Sequence, residues 1–194
     1  RIKLENKGSQ VEDFAVDILG EYGGEDDIKL AIESADNIFE RGASFLYKAL
    51  QKYRRVLSSI KTEQERKAWY PYCWLRIAEC YFHLGRYHEA AAAASVIVYD
   101  RSPWLGSEAA QKAALTKLDA LNRLSKQTKD PADQRALNEY NTWAATQPLV
   151  RDLMGDGPTY NAAIDLEAKA RTAYEAKSPS DAVKNYLEAS RLWE

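Results

Sequence analysis

The chain has 194 residues, of which 45% are hydrophobic and 29% charged, and its 29 acidic and 27 basic side chains leave a formal net charge of −2. This length is sufficient for one domain with a substantial buried core. The near balance of charge gives no electrostatic reason to expect nucleic acid or an anionic membrane as a partner. No segment approaches the run of about 18 apolar residues that a membrane span requires, so we expect no direct membrane span.

The N-terminal part of the chain is predicted to form one helix followed by a helical hairpin. Ser9 and Glu12 have the spacing of a capping box, and glycines end the following apolar pattern, so the first helix is placed at 9–24. The hairpin is placed at 27–60, with Gly42 at its turn. The residues predicted to face inward are Ile28, Ala31, Ile32, Ala35, Ile38 and Phe39, then Leu46, Ala49, Leu50, Tyr53, Leu57 and Ile60.

A second hairpin is predicted over 62–103. Thr62 and Glu65 form another capping box at its start, and Gly85 separates its two helices. Pro71 lies within the first of these helices, where it removes a backbone donor and crowds the preceding turn. We therefore expect a kink there, or a short helix that breaks before a longer one.

Two further hairpins are predicted in the C-terminal half, over 105–147 and 159–194. Asp130 followed by Pro131 is typical of a helix start, since aspartate caps and proline suits the first helical position. The segment 148–158 is rich in glycine and proline and is predicted to be a loop. The whole chain is thus expected to be all-α, with eight or nine helices joined mostly by short connections.

The second hairpin carries the most distinctive spacing of the sequence. Its residues are Trp74, Ile77, Ala78 and Tyr81, then Gly85-Arg86-Tyr87, then Ala90. This pattern resembles a tetratricopeptide repeat (TPR), and the best match covers 71–103. The fourth hairpin is similar to a lesser degree, and the others depart from the repeat length. The resemblance implies a single domain over 1–194 built as a short right-handed α-solenoid of stacked antiparallel hairpins.

In TPR proteins a concave groove is lined by exposed positions on the first helix of each hairpin, and the groove binds a peptide or helix of a partner protein. The resemblance therefore implies a groove in which arginine holds carboxylates and aromatic rings cover apolar side chains. Glu79 occupies a position where TPR domains that clamp chaperone tails carry asparagine, which argues against that subtype. The residues implied are Tyr72, Leu75, Arg76, Glu79, Phe82 and His83 in the second hairpin and Glu167, Arg171, Tyr174 and Glu175 in the fourth.

A different interpretation of these positions remains open. Leu75 and Phe82 can instead pack on neighbouring hairpins, with Arg76 a solvated surface charge. The aromatic cluster around Pro71 has the same two interpretations, a partner surface or a seal between hairpins, and Trp69 is its residue most expected to be exposed.

No arrangement of residues indicates chemistry, so we expect neither catalytic residues nor a cofactor. Cys73 and Cys80 lie about 10.5 Å apart along one predicted helix, too far for a disulfide. Cys80 and His83 share a helix face but have no third orienting group, and a structural zinc site needs four convergent ligands. We therefore predict no metal site and no nucleophile.

The expected function is a protein–protein interaction module with a protein or peptide as its partner. The alternative is a structural or assembly subunit that packs through its ends or outer face. The spacing of Tyr47, Ala49 and Tyr53 ahead of Pro103 also resembles the TPR lipoproteins of bacterial envelope assembly. The identity of the partner, the oligomeric state, and cytoplasmic or periplasmic location stay open at this point.

Overall fold

The computed structural model describes residues 25–154, 157–176 and 178–193, and this part of the chain is all-helical with no strands. The helix predicted over 9–24 lies outside the described residues. The helices are α1 (Glu25–Glu40), α2 (Leu46–Ser59), α3 (Glu63–His83), α4 (Tyr87–Ser95), α5 (Glu108–Thr128), α6 (Pro131–Thr146), α7 (Pro148–Met154), α8 (Gly157–Glu175) and α9 (Pro179–Trp193), with a 3₁₀ turn at Ala43–Phe45 before α2.

The helices begin and end where nearby groups form hydrogen bonds with the free backbone N–H and C=O groups of the helix ends. Thr62 and Glu65 form the reciprocal capping box predicted for the start of α3, with Glu65 N–H donating to Thr62 Oγ1 and Thr62 N–H to Glu65 Oε2. Gly85 follows α3 with φ at 72°, and the Arg86 N–H donates to the Tyr81 carbonyl at 2.9 Å, as in a Schellman motif. The Asp130 side chain accepts from the Ala132 N–H at 2.8 Å and caps α6.

Packing is mostly local in sequence. Along the chain α1 packs on α2, α2 on α3, α3 on α4, α4 on α5, α5 on α6, α6 on α8 and α8 on α9, while α3 also packs on α5 and α1 touches α3 more lightly. The α3 helix therefore contacts both α1 and α5, and this brings together residues that are far apart in sequence.

The core consists of the inward faces of these helices. In α1 and α2 the predicted faces are buried, except that Phe39, Leu57 and Ile60 are half-buried at their edges. Alanine dominates where α4 is packed between α3 and α5, and Ala90 and Ala94 have no exposed surface. Small side chains permit the close approach of helices, so little space surrounds these residues.

A larger residue at Ala90 should therefore destabilise the protein. We expect Ala90→Leu to lower the free energy of unfolding by about 1–3 kcal/mol, because the added carbons force apart α3, α4 and α5. Urea unfolding followed by circular dichroism measures the change. Ala92→Leu is the matched control, since Ala92 is exposed on the same helix and should tolerate leucine. Equal stability of the two variants would contradict this packing.

One sequence prediction for the C-terminal half is wrong. The segment 148–158 is not a loop throughout, because α7 occupies Pro148–Met154. Pro148 suits the first position of a helix, and Val150 is fully buried, which anchors the short helix.

Pro71 does not break its helix, since α3 continues from Glu63 to His83 with Pro71 buried inside it. Of the two alternatives expected at this proline, a kink or a break, the break is therefore excluded. The adjacent Tyr70 ring stacks on Trp104 with centroids 5.0 Å apart and meets Trp74 edge-on at 6.2 Å. Trp69 is only half-buried rather than exposed.

Candidate functional site

Asp36 of α1 joins three helices through one carboxylate. Its Oδ1 accepts a hydrogen bond from the Tyr53 hydroxyl of α2 at 2.5 Å, and its Oδ2 accepts from the Tyr72 hydroxyl of α3 at 2.7 Å. The Arg76 Nε lies 3.3 Å from Asp36 Oδ1 and donates to the Tyr72 hydroxyl at 3.0 Å. The Arg76 Nη1 donates to Glu79 Oε2 at 3.0 Å. We call these five residues the Asp36 network.

The Asp36 network is partly shielded from water, and this shifts the pKa values of its side chains. Burial, together with the hydrogen bond to Asp36, raises the pKa of Tyr72 to about 12, and the same two causes raise the pKa of Tyr53 further. Burial alone would lower the pKa of Arg76, but its hydrogen bonds with Tyr72 and Glu79 outweigh that effect and raise it. These shifts keep Tyr53 and Tyr72 neutral and Arg76 positively charged at neutral pH.

Three of the predicted groove residues, Tyr72, Arg76 and Glu79, thus make contacts within the chain. The Arg76 side chain is 23% exposed and lies over the Phe39 ring at 4.9 Å, so it is neither a solvated surface charge nor an uncommitted ligand for a partner. Leu75, predicted in the groove, is buried instead. The Asp36 network is a structural junction between α1, α2 and α3.

A second cluster lies at the C-terminal end of α3 and contains the other predicted residues of that helix. His83 is exposed and contacts two rings edge-on, Phe39 at 5.9 Å and Phe82 at 5.8 Å. Phe82 meets Tyr87 of α4 at 5.4 Å. Arg123 of α5 lies above both of these, 5.3 Å from the Phe82 centroid and 5.8 Å from Tyr87. We call these five residues the Arg123 surface.

Arg123 is exposed, and no carboxylate of the described residues pairs with it. The rings beneath it hold its guanidinium in place by cation–π attraction while leaving its hydrogen-bond donors uncommitted. A guanidinium donates two parallel hydrogen bonds to a carboxylate, and the half-buried rings beside it offer apolar surface. The Arg123 surface is therefore suited to an acidic group next to an apolar one.

The four predicted residues of the fourth hairpin do not belong to this surface. Glu167, Arg171, Tyr174 and Glu175 lie on α8, and Tyr174 is 73% exposed. Since α8 makes its main contacts with α6 and α9, the structure separates these residues from the α3 positions. The prediction of one groove that includes both hairpins gains no support from their placement.

Sequence reasoning missed Asp36, Phe39 and Arg123. Asp36 and Phe39 are three residues apart on α1 and so share a helix face, which is a signal that periodicity contains. Arg123 had no such signal, because the third hairpin did not fit the repeat pattern that located the other positions. Only the packing of α3 on α5 brings Arg123 to Phe82.

The cysteines have the surroundings of core residues. Burial raises the pKa of Cys80 to about 12 and that of Cys73 further, so both stay thiols at neutral pH. Cys80 is fully buried whereas His83 is exposed, so the two side chains face different surroundings. Within 25–154 and the described parts of the C-terminal hairpin, no group of three or more His, Cys, Asp or Glu residues is placed to hold a metal.

No family model, curated protein or solved structure matches this chain. Among the described helices, none combines the length and apolar character needed to cross a bilayer.

Proposed function

We propose that the protein is a TPR-like scaffold, a short α-solenoid whose Arg123 surface binds a peptide segment of a partner protein. The local packing order supports the solenoid, because each helix packs mainly on the next one or two along the chain, as in a stack of hairpins. The contacts of α3 with both α1 and α5 support a shared groove, since the first helices of stacked hairpins line that face in a solenoid.

The observation that carries this proposal is the exposed Arg123 guanidinium stacked on Phe82 and Tyr87 without an acidic partner in the described part of the chain. Such an arginine is held in position before it binds, which reduces the entropy lost on binding. The ligand expected is a short peptide with an aspartate, glutamate or free C-terminal carboxylate beside an apolar residue.

Selection from a random peptide display library tests the ligand class. Peptides that bind should be enriched in a carboxylate next to an apolar residue, because Arg123 and the rings beside it are complementary to that pair. Sequencing the bound and unbound pools measures the enrichment. Selected peptides without any acidic group would contradict the assignment.

A second candidate function is supported by α9. Val183, Tyr186 and Leu187 are exposed by 57%, 48% and 58% and lie within one turn and a half of that helix. Exposed apolar residues grouped on a helix favour packing against another subunit. Sedimentation velocity decides between the candidates: a dimer that Leu187→Glu dissociates supports a structural subunit, and a monomer supports the peptide binder.

A further inference from the structure

A pocket of about 450 Å³ lies between α4, α5 and α6, away from the Arg123 surface, and the two share no residue. Alanines on α4 and α6 leave the space: Ala91, Ala92 and Ala136 line it, and Leu121 of α5 contributes its side chain to the wall. A volume of this size suits a small organic molecule. We call this cavity the Lys117 pocket.

Lys117 of α5 supplies the charge in this pocket. Its Nζ lies 4.5 Å from the Tyr140 ring centroid, and the side chain is half-buried. Burial lowers the pKa of Lys117 to about 8 from its usual value near 10.5, and no neighbouring charge contributes to the shift. Within the described residues no carboxylate lies within ion-pair distance of this amine.

The other titratable groups of the pocket do not neutralise Lys117. Asp100 and Tyr99, which follow α4, are exposed, and Asp100 is 3.8 Å from Arg101. Glu139 of α6 is also exposed. The α3 and α7 helices, which also pack on α5, contribute no residue to the walls. The buried amine thus faces a cavity whose two carboxylates lie at its outer edge.

The wall beside Lys117 is aromatic. The Tyr140 hydroxyl donates to the Ala114 carbonyl at 2.9 Å, and the Tyr140 and Trp143 rings stack with centroids 5.4 Å apart. The Trp143 indole N–H is buried and makes no hydrogen bond within the described part of the chain. This wall therefore combines flat apolar surface with an unpaired donor.

We propose that the Lys117 pocket binds a small aromatic monocarboxylate, with the Lys117 ammonium pairing the carboxylate and the Tyr140–Trp143 wall packing on the aromatic body. A partly buried ammonium without an anionic partner is costly, and an anionic ligand offsets that cost. Asp100 and Glu139 at the outer edge repel a second negative charge, so dianions such as phosphate esters are disfavoured.

Isothermal titration with 2-naphthoate and its neutral amide, 2-naphthamide, tests this site. The acid should bind the full chain at least about tenfold more tightly than the amide, since a charge-assisted hydrogen bond distinguishes them. Lys117→Met should remove that preference and leave both binding alike. Lys112→Met, which alters an exposed lysine on the same helix that pairs with Glu108, should leave the preference unchanged.

Two further measurements keep the proposal testable if Lys117→Met does not fold. One is the pH dependence of binding to the wild-type chain, and the other uses a bulky side chain to fill the pocket. Because Lys117 loses its proton as pH rises through about 8, affinity for the acid should fall about tenfold between about pH 7 and about pH 9.5, while that for the amide stays constant. Ala92→Trp, at an exposed lining position, should block both ligands.

Three results would overturn the proposal: no binding of either probe, equal affinity of the wild-type chain for acid and amide, or an acid preference that survives Lys117→Met. The expected pattern, in contrast, requires both the amine and the cavity. Circular dichroism of each variant establishes that the fold is intact before the titrations are compared.

Discussion

Replacing Asp36 by alanine is expected to lower the free energy of unfolding by about 3 kcal/mol. The substitution leaves the Tyr53 hydroxyl, on a side chain with no exposed surface, without its acceptor, and it removes the carboxylate that lies 3.3 Å from Arg76 Nε. Breaking a buried hydrogen bond and a partly buried ion pair at once costs more than either alone. The loss reflects one side chain that holds α1, α2 and α3 together.

Urea unfolding of three chains measures this effect. Asp36→Asn should lose about half as much, because the amide oxygen still accepts from a tyrosine while the charge that attracts Arg76 is gone. Asp119→Ala, at an exposed position on α5, should change stability by no more than about 0.5 kcal/mol. A loss below about 1 kcal/mol for Asp36→Ala would show that the network does not join the helices.

Lys117→Met is expected to act in the opposite direction and to stabilise the protein by about 2 kcal/mol near neutral pH. Folding places the Lys117 amine where its pKa is about 8, while in the unfolded chain it returns to about 10.5. At about 1.36 kcal/mol per pKa unit, and with a reduction for the part of the side chain that stays in water, the burial costs about this amount. Methionine has a similar length and no charge to desolvate.

The stabilisation expected from Lys117→Met should decrease as the pH rises. Below about pH 8 the amine is protonated in both the folded and unfolded chains, and the cost of burying the charge is fully present. Between about pH 8 and 10.5 only the unfolded chain holds the proton, so the stability of the wild-type chain rises relative to the variant. Thermal unfolding of both chains across this range measures the difference, which should vanish above about pH 10.5. A constant difference would contradict the buried ammonium.

The elements of the fold were predictable from the sequence because local signals define them. The apolar faces of α1 and α2 recur at helical spacing, and the caps at Thr62 and Asp130 lie where the sequence places them. The helix α7 was missed because proline and glycine on either side indicate a loop, whereas the burial of Val150 depends on its neighbours in space. Propensity is a weak signal against such tertiary contact.

The candidate sites were less predictable, since each combines residues from different hairpins. Phe82 and His83 were located through the repeat pattern, but Arg123 lies on a helix that the pattern does not describe. Tyr72 and Asp36 are 36 residues apart, and their hydrogen bond depends on how α1 packs against α3. The lowered pKa of Lys117 likewise follows from burial in a pocket formed by three helices, and its position in the sequence does not reveal it.

The most direct test of the proposed peptide site is the affinity of a selected peptide for matched arginine variants, measured by fluorescence anisotropy. Arg123→Glu should weaken binding by at least about thirtyfold, because it replaces attraction with repulsion at the carboxylate. Arg171→Glu makes the same charge change on the separate surface of α8 and should bind like the wild-type chain. Equal affinity of the wild-type chain and Arg123→Glu, or an equal loss in both variants, would contradict binding at the Arg123 surface.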